Sequence, residues 1–144
     1  MAVFDTKSDM SVTGAAALTV TTAAVNGQYV DMRGWEALTV AAHMGTITNA
    51  GSGVTFKLQH SDEVGTGTFA DCTAAEVIGS IPAIDNTNQA ALTRGTVGYR
   101  GNKRYVRLVA TGSASVNCIV TPIYIQGRPH SAPVGAVGTA TTAS

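Results

Sequence analysis

The chain has 144 residues, a length that suits one domain, and its nine basic and nine acidic side chains cancel to a net charge of zero. Hydrophobic residues make up 44% and charged residues only 12%, enough for a core but a thin charged surface, which suits a subunit covered by neighbours. That balance argues against nucleic acid as a partner, and no run of about 20 apolar residues marks a membrane span.

Met1–Gly14 mixes Val3, Phe4 and Met10 with charged residues and has no periodicity, so it reads as an extended arm with those three as anchors on a neighbour. No secretory signal pattern is present in it. In Ala15–Thr22, Leu18 and Val20 alternate against threonines, which predicts a strand. Asn26-Gly27 predicts a hairpin turn, followed by a short strand over Gln28–Met32 that breaks at Arg33-Gly34. Trp35–Met44 permits helix through its Ala and Leu, but Leu38, Val40 and Ala42 alternate as in a strand ending at Gly45. Thr46–Gly53 is loop composition. Val54–His60 is a clean strand with Val54, Phe56, Leu58 and His60 on one face. Beyond the Ser61–Thr68 loop, Phe69–Gly79 predicts a short strand and one helical turn. Ser80–Asn88 is turn material around Pro82 and Asp85-Asn86, and Gln89–Gly95 and Thr96–Tyr99 supply short edge strands.

The strongest pattern lies in Val97–Gly127. Tyr105–Ala110 alternates with Val106, Leu108 and Ala110 on one face, and Arg107 must reach water, so the Val106/Leu108 face is the core face. Thr111–Ser115 has turn composition, and Val116–Ile125 follows as a strand apolar on both faces, so the two read as a hairpin within a sandwich. Pro122 lacks an N–H and is expected at a bulge or edge-facing position. Cys118 packs as a small hydrophobe, and a disulfide to Cys72 is not expected in a cytoplasmically made protein.

About eight short strands separated by turns predict an all-β protein, a β-sandwich or jelly roll. The body spans 15–127, after the N-terminal arm 1–14 and before an extended C-terminal tail, 128–144, which has two prolines and no charge after Arg128. Charge is uneven: seven acids against three bases give −4 over residues 1–72, and two against six give +4 over 73–144. Arg94, Arg100, Lys103, Arg104 and Arg107 follow one another with no acid between them. They read either as a solvated strand face and turn or as a patch for an acidic partner surface, with Arg100, Lys103, Arg104 and Arg128 as interface residues.

Motifs for chemistry are missing from the sequence. His43, His60 and His130 are scattered, with no C-x-x-C or H-x-x-x-H, so no metal and no cofactor is expected. His60 beside Asp62 and Glu63 reads as a solvated or capped histidine, and Gly65-Thr66-Gly67 lacks the Lys-Ser/Thr of a phosphate loop. No catalytic residue is assigned, and no enzyme activity is expected.

Three segments carry a family resemblance: FKLQHSDE (Phe56–Glu63), VGYRGNKRYVRLVATG (Val97–Gly112) and IQGRPHSAPVG (Ile125–Gly135). Together they resemble capsid decoration, or cement, proteins of tailed bacteriophages, small structural proteins encoded beside the major capsid gene. In that group a strand and H-S-D loop precede a G-Y-x-G-x-K-R-Y-V-R strand and a Pro-containing tail. The resemblance implies a sandwich or jelly roll, often a homotrimer, bound to the major capsid protein on the capsid exterior of the virion and made in the host cytoplasm. It implies no cofactor, small-molecule substrate, nucleic acid or membrane partner, and it transfers no site residues. The alternatives are a tail-tube or head–tail joining subunit, or a carbohydrate-binding β-sandwich using Trp35.

Overall fold

Alternation of more and less buried side chains runs through most of the length of the long strands of the computed structural model, which describes residues 9–49, 51–89, 95–113 and 115–130. The strands are β1 (Met10–Gly14), β2 (Leu18–Val20), β3 (Ala24–Asp31), β4 (Trp35–Met44), β5 (Gly53–Ser61), β6 (Ala70–Asp71), β7 (Val77–Ile78), β8 (Ile84–Asp85), β9 (Thr96–Tyr99), β10 (Tyr105–Ser113) and β11 (Cys118–Pro129). One 3₁₀ turn, Ala74–Glu76, precedes β7. The pairings are antiparallel and form two sheets. The six-stranded sheet runs β1-β11-β4-β9-β7 with β2 also on β11; the five-stranded sheet runs β3-β10-β5-β6 with β8 also on β5. The protein is therefore an all-β sandwich, as its sequence predicts.

The core lies between the sheets. Val40, Val120 and Tyr124 from the six-stranded sheet meet Val54, Val106 and Leu108 from the other, all essentially inaccessible. The Val106/Leu108 face of β10 is the core face, as expected, and Val54, Leu58 and His60 share the buried face of β5. Trp35–Met44 is a strand. Its inward Leu38, Val40, Ala42 and Met44 bury apolar area that a helical spacing would scatter around a cylinder.

Three expectations need correction. First, β10 and β11 are not a hairpin. β10 pairs with β3 and β5, β11 with β1, β2 and β4, so the two strands lie in opposite sheets. Each directs a mostly apolar face at the same core, which sets them across from one another. The chain crosses the end of the sandwich through buried Val116, and a Cβ on Gly112 would run into the Thr21 carbonyl. Second, Asn26-Gly27 is inside β3. The register slips there by one residue, Arg107 facing Tyr29 and Val109 facing Asn26, which makes a β-bulge. Gly27 is needed because a Cβ would sit 2.7 Å from the Leu108 carbonyl oxygen. Third, Met10–Gly14 is not arm but strand, paired in register with Gly127 to Ile123 of β11, which itself runs on to Pro129. The sandwich thus begins at Met10.

A buried tyrosine ties the sheets together at the bulge. The Tyr124 hydroxyl, projecting from the six-stranded sheet, donates to the Gln28 carbonyl (2.6 Å) and accepts from the Leu108 N–H (3.0 Å). It fills the gap that the slipped register leaves between β3 and β10, and burial pushes its pKa well up. Gln126 makes a second cross-sheet link, donating to the Asp31 carbonyl at 2.7 Å. Pro122 lies in an internal strand, but where the β11 partner changes from β1 to β2. There its carbonyl accepts from Ala15 N–H, and its missing donor leaves no gap in the ladder.

Candidate functional site

The basic residues predicted as a patch gather at one end of the sandwich, where most of them already have partners. The Arg104 guanidinium makes a forked contact with Asp31, 2.7 Å at its shortest, and Lys103 pairs with Asp62 at 2.5 Å. Arg107 donates to Gln59 and lies 4.2 Å over the Phe69 ring. Arg128 reaches Glu36 at 3.5 Å. Burial raises the Asp31 pKa, but hydrogen bonds from Arg104 and from the Arg33 N–H, with both arginine charges, outweigh it and hold the carboxyl below its usual value. Three bases of the second half of the chain, Lys103, Arg104 and Arg128, are thus answered by acids of the first. Arg100 is exposed on the loop after β9, while Arg94, Val3 and Phe4 lie outside the described residues.

Between these pairs lies an open cleft of about 480 Å³, lined by Trp35, Glu36, Asp62, Tyr99, Lys103 and His130 among others. Behind it His60 is buried, not solvated as its sequence context suggested, since β5 carries it inward beside Leu58. Its Nδ1 lies 3.0 Å from the Tyr99 hydroxyl, which also accepts from the Lys103 N–H at 3.0 Å. On the other side of the ring, Nε2 lies 3.9 Å from Glu76. Burial pushes the Tyr99 pKa up to about 12. Burial, with Glu76 and Asp71 nearby, pushes the Cys72 thiol up to about 12 as well. A thiol so held carries almost no thiolate at neutral pH, so it is a poor nucleophile. Cys72 and Cys118 are both free. Among the described residues no cluster of His, Cys, Asp and Glu could hold a metal, and no helix is long and apolar enough to cross a membrane.

The outer face of the six-stranded sheet differs from that of the five-stranded sheet. Registers align its outward side chains in rows. One row reads Val12, Ile125, Thr39, Gly98, Ile78; the next reads Gly14, Ile123, Ala41, Thr96. Met10, Gly127 and Ala37 flank them on one side, and Thr121, His43, Thr19 and Ile119 lie on the other. No Asp, Glu, Lys or Arg stands in these rows. Four of the five large apolar side chains exposed among the described residues lie here: Ile78 (60%), Ile119 (54%), Val12 (47%) and Met10 (36%). The outer face of the other sheet instead carries Lys57, Gln59, Asp71 and Arg107, bonded to one another in pairs. An uncharged face of this extent is the composition of an interface centre, and Glu36, Arg128 and His130 at one end supply a polar rim.

No family model matches the chain, and no curated protein matches it in sequence. Solved structures similar to it include the SPBc2 prophage-derived protein YomS, 18% identical over 81% of this chain and 93% of that one, with a TM-score of 0.46. A chain of the Bacillus endospore appendages, which form disulfide-linked pili, is 13% identical over 90% of this chain and 98% of that one, TM-score 0.36. The N-terminal modules of Clostridium thermocellum endo-1,4-β-D-xylanase 10B are 11% identical over 91% of this chain, which spans only 28% of that solved chain, TM-score 0.37. These likenesses are distant, and the sandwich assignment rests on the chain's own strand pairing.

Among the described residues expected at an interface, Met10 alone falls on the uncharged face. Val12, Ile78, Ile119, Ile123 and Ile125 were missed. The signal was the apolar character of both faces of β11. A strand in a two-layer sandwich has one face on the core, so its second apolar face must look outwards.

Proposed function

We propose that this protein is a non-catalytic structural subunit of a phage particle, attached to the major capsid protein on the capsid exterior, where it stabilises the lattice. The observation that carries this reading is the uncharged outer face of the six-stranded sheet, a surface of the kind that is stable when covered in an assembly. The decoration-protein resemblance of Phe56–Glu63 and Val97–Gly112 supplies the type of assembly. In the fold those segments form β5 and β9–β10 and meet through the His60–Tyr99 and Lys103–Asp62 contacts, so the shared motif holds one end of the sandwich together.

In this role the protein resists outward pressure from packaged DNA by bridging neighbouring capsid subunits. Repeated weak contacts on a lattice sum to tight attachment. Residues 1–8, with Val3 and Phe4, and the segment beyond His130 lie outside the described residues; we infer from their sequence that they anchor the body on neighbouring capsid subunits. A deletion through residue 12 would cut into β1, so the clean truncation removes residues 1–8. The test is co-sedimentation with capsids stripped of the protein, then heating to follow DNA release. Full-length protein is expected to pellet at a saturable ratio and to delay release, and the truncated form to bind more weakly. Full-length protein left in the supernatant at saturating concentration overturns the reading.

A further inference from the structure

We propose that the outer face of the six-stranded sheet is the site where a second copy of this chain packs, face to face, about a two-fold axis. This rests on the reading of the chain as an assembly subunit; it puts a dimer in place of the homotrimer that the family resemblance implies and leaves the capsid contacts to surfaces outside this face.

The face has a relief that fits itself. Val12 on β1 and Ile119, Ile123 and Ile125 on β11 make an aliphatic ridge. Beside it Ala37, Thr39 and Ala41 on β4 and Thr96 and Gly98 on β9 make a trough of small side chains, closed on its far side by Ile78. A two-fold axis between β11 and β4 lays the ridge of each copy into the trough of the other, with the sheets at the usual ~10 Å spacing. Charge gives the same answer. A partner bearing Lys or Glu here would bury a charge with no counter-charge on this face, whereas a second copy brings none.

Area agrees as well. Five strands about 4.8 Å apart, and the reach of β11 at about 3.4 Å per residue, give roughly 600 Å² per copy once the short β7 and β9 are allowed for. The pair then buries about 1,200 Å², the lower end of stable interfaces and above lattice contacts. A flat face meeting itself gives a dimer, whereas a three-fold ring needs two different patches meeting head to tail.

Sedimentation velocity of the full chain at roughly 50 µM tests this, because a dimer of micromolar Kd is populated at that concentration. Wild type is expected to sediment as a dimer. Ile125→Lys, which puts a charge on the ridge, should weaken association at least about a hundredfold, and Thr55→Lys on the outer face of the other sheet should leave it unchanged. If Ile125→Lys does not fold, as read by circular dichroism, Val12→Lys at the more exposed β1 replaces it. A monomeric or trimeric wild type overturns the inference. So does a folded Ile125→Lys or Val12→Lys variant that still dimerises. If wild type is monomeric and Ile125→Lys loses capsid co-sedimentation, the face belongs to the capsid protein, and the structural role stands without the dimer. A dimer lost in Ile125→Lys, with no capsid binding by wild type, supports the inference and removes the capsid reading.

Discussion

Removing one oxygen atom should unfasten the two sheets at their least regular point. Tyr124→Phe keeps the ring in the core but deletes the hydroxyl that donates to the Gln28 carbonyl and accepts from the Leu108 N–H. Both backbone groups sit at the bulge, where the slipped register gives them no ladder partner in place of the tyrosine. The site is buried, so water cannot take over without opening the sheets. Two hydrogen bonds at about 0.5–1.5 kcal/mol each, plus desolvated groups left unpaired, give an expected loss of about 2–4 kcal/mol. In urea, with a slope of about 2 kcal/mol per M for a chain of this size, the midpoint should fall by about 1–2 M while the slope stays constant. A midpoint shift below about 0.3 M would mean that the hydroxyl is not what satisfies the bulge. Gly27→Ala acts on the same junction from the other side, and its effect should be less than additive with Tyr124→Phe.

Leu108→Ala should cost about 2–5 kcal/mol in the same urea assay, since the side chain is fully buried between the sheets; less than half a kcal/mol would contradict its place in the core. The Asp31–Arg104 pair predicts a pH signature. The folded pKa of Asp31 is depressed, so the pair stabilises the fold above the unfolded carboxylate pKa and stops doing so as pH falls through the folded value. Arg104→Gln should therefore lower the melting temperature at pH 7, with the gap to wild type closing as pH falls below the ordinary carboxylate value of 3.8 and through the lower folded one; an equal gap at both ends would refute the assignment. Native Cys72 should react with iodoacetamide at pH 8 at least about a hundredfold more slowly than a free cysteine and label readily after unfolding, because burial holds the thiol protonated.

Fold class was legible in the sequence because the alternation in Val54–His60 and Tyr105–Ala110 is a local signal of which face is buried. Pairing was not. The β10–β11 connection has hairpin composition, and whether two adjacent strands pair or cross between sheets depends on the core they share, which no local pattern records. Asn26-Gly27 failed for a related reason. A glycine that admits the Leu108 carbonyl and a glycine that makes a turn are the same letter. Met10–Gly14 alternates over only five residues, too few to separate a short strand from an arm. The basic run Arg100–Arg107 looked unpaired because Asp31 and Asp62 lie 73 and 41 positions from the Arg104 and Lys103 they meet. The uncharged outer face emerges only when outward residues of five strands are set side by side, although the double-faced apolar character of β11 pointed towards it.

The most direct test of a role on the capsid exterior is electron cryo-microscopy of native particles beside particles stripped of this protein. The expected result is difference density on the outer capsid surface, repeated over the lattice and fitted by the two-sheet body, returning when purified protein is added back. Difference density confined to the neck or tail, or none at all, would contradict it.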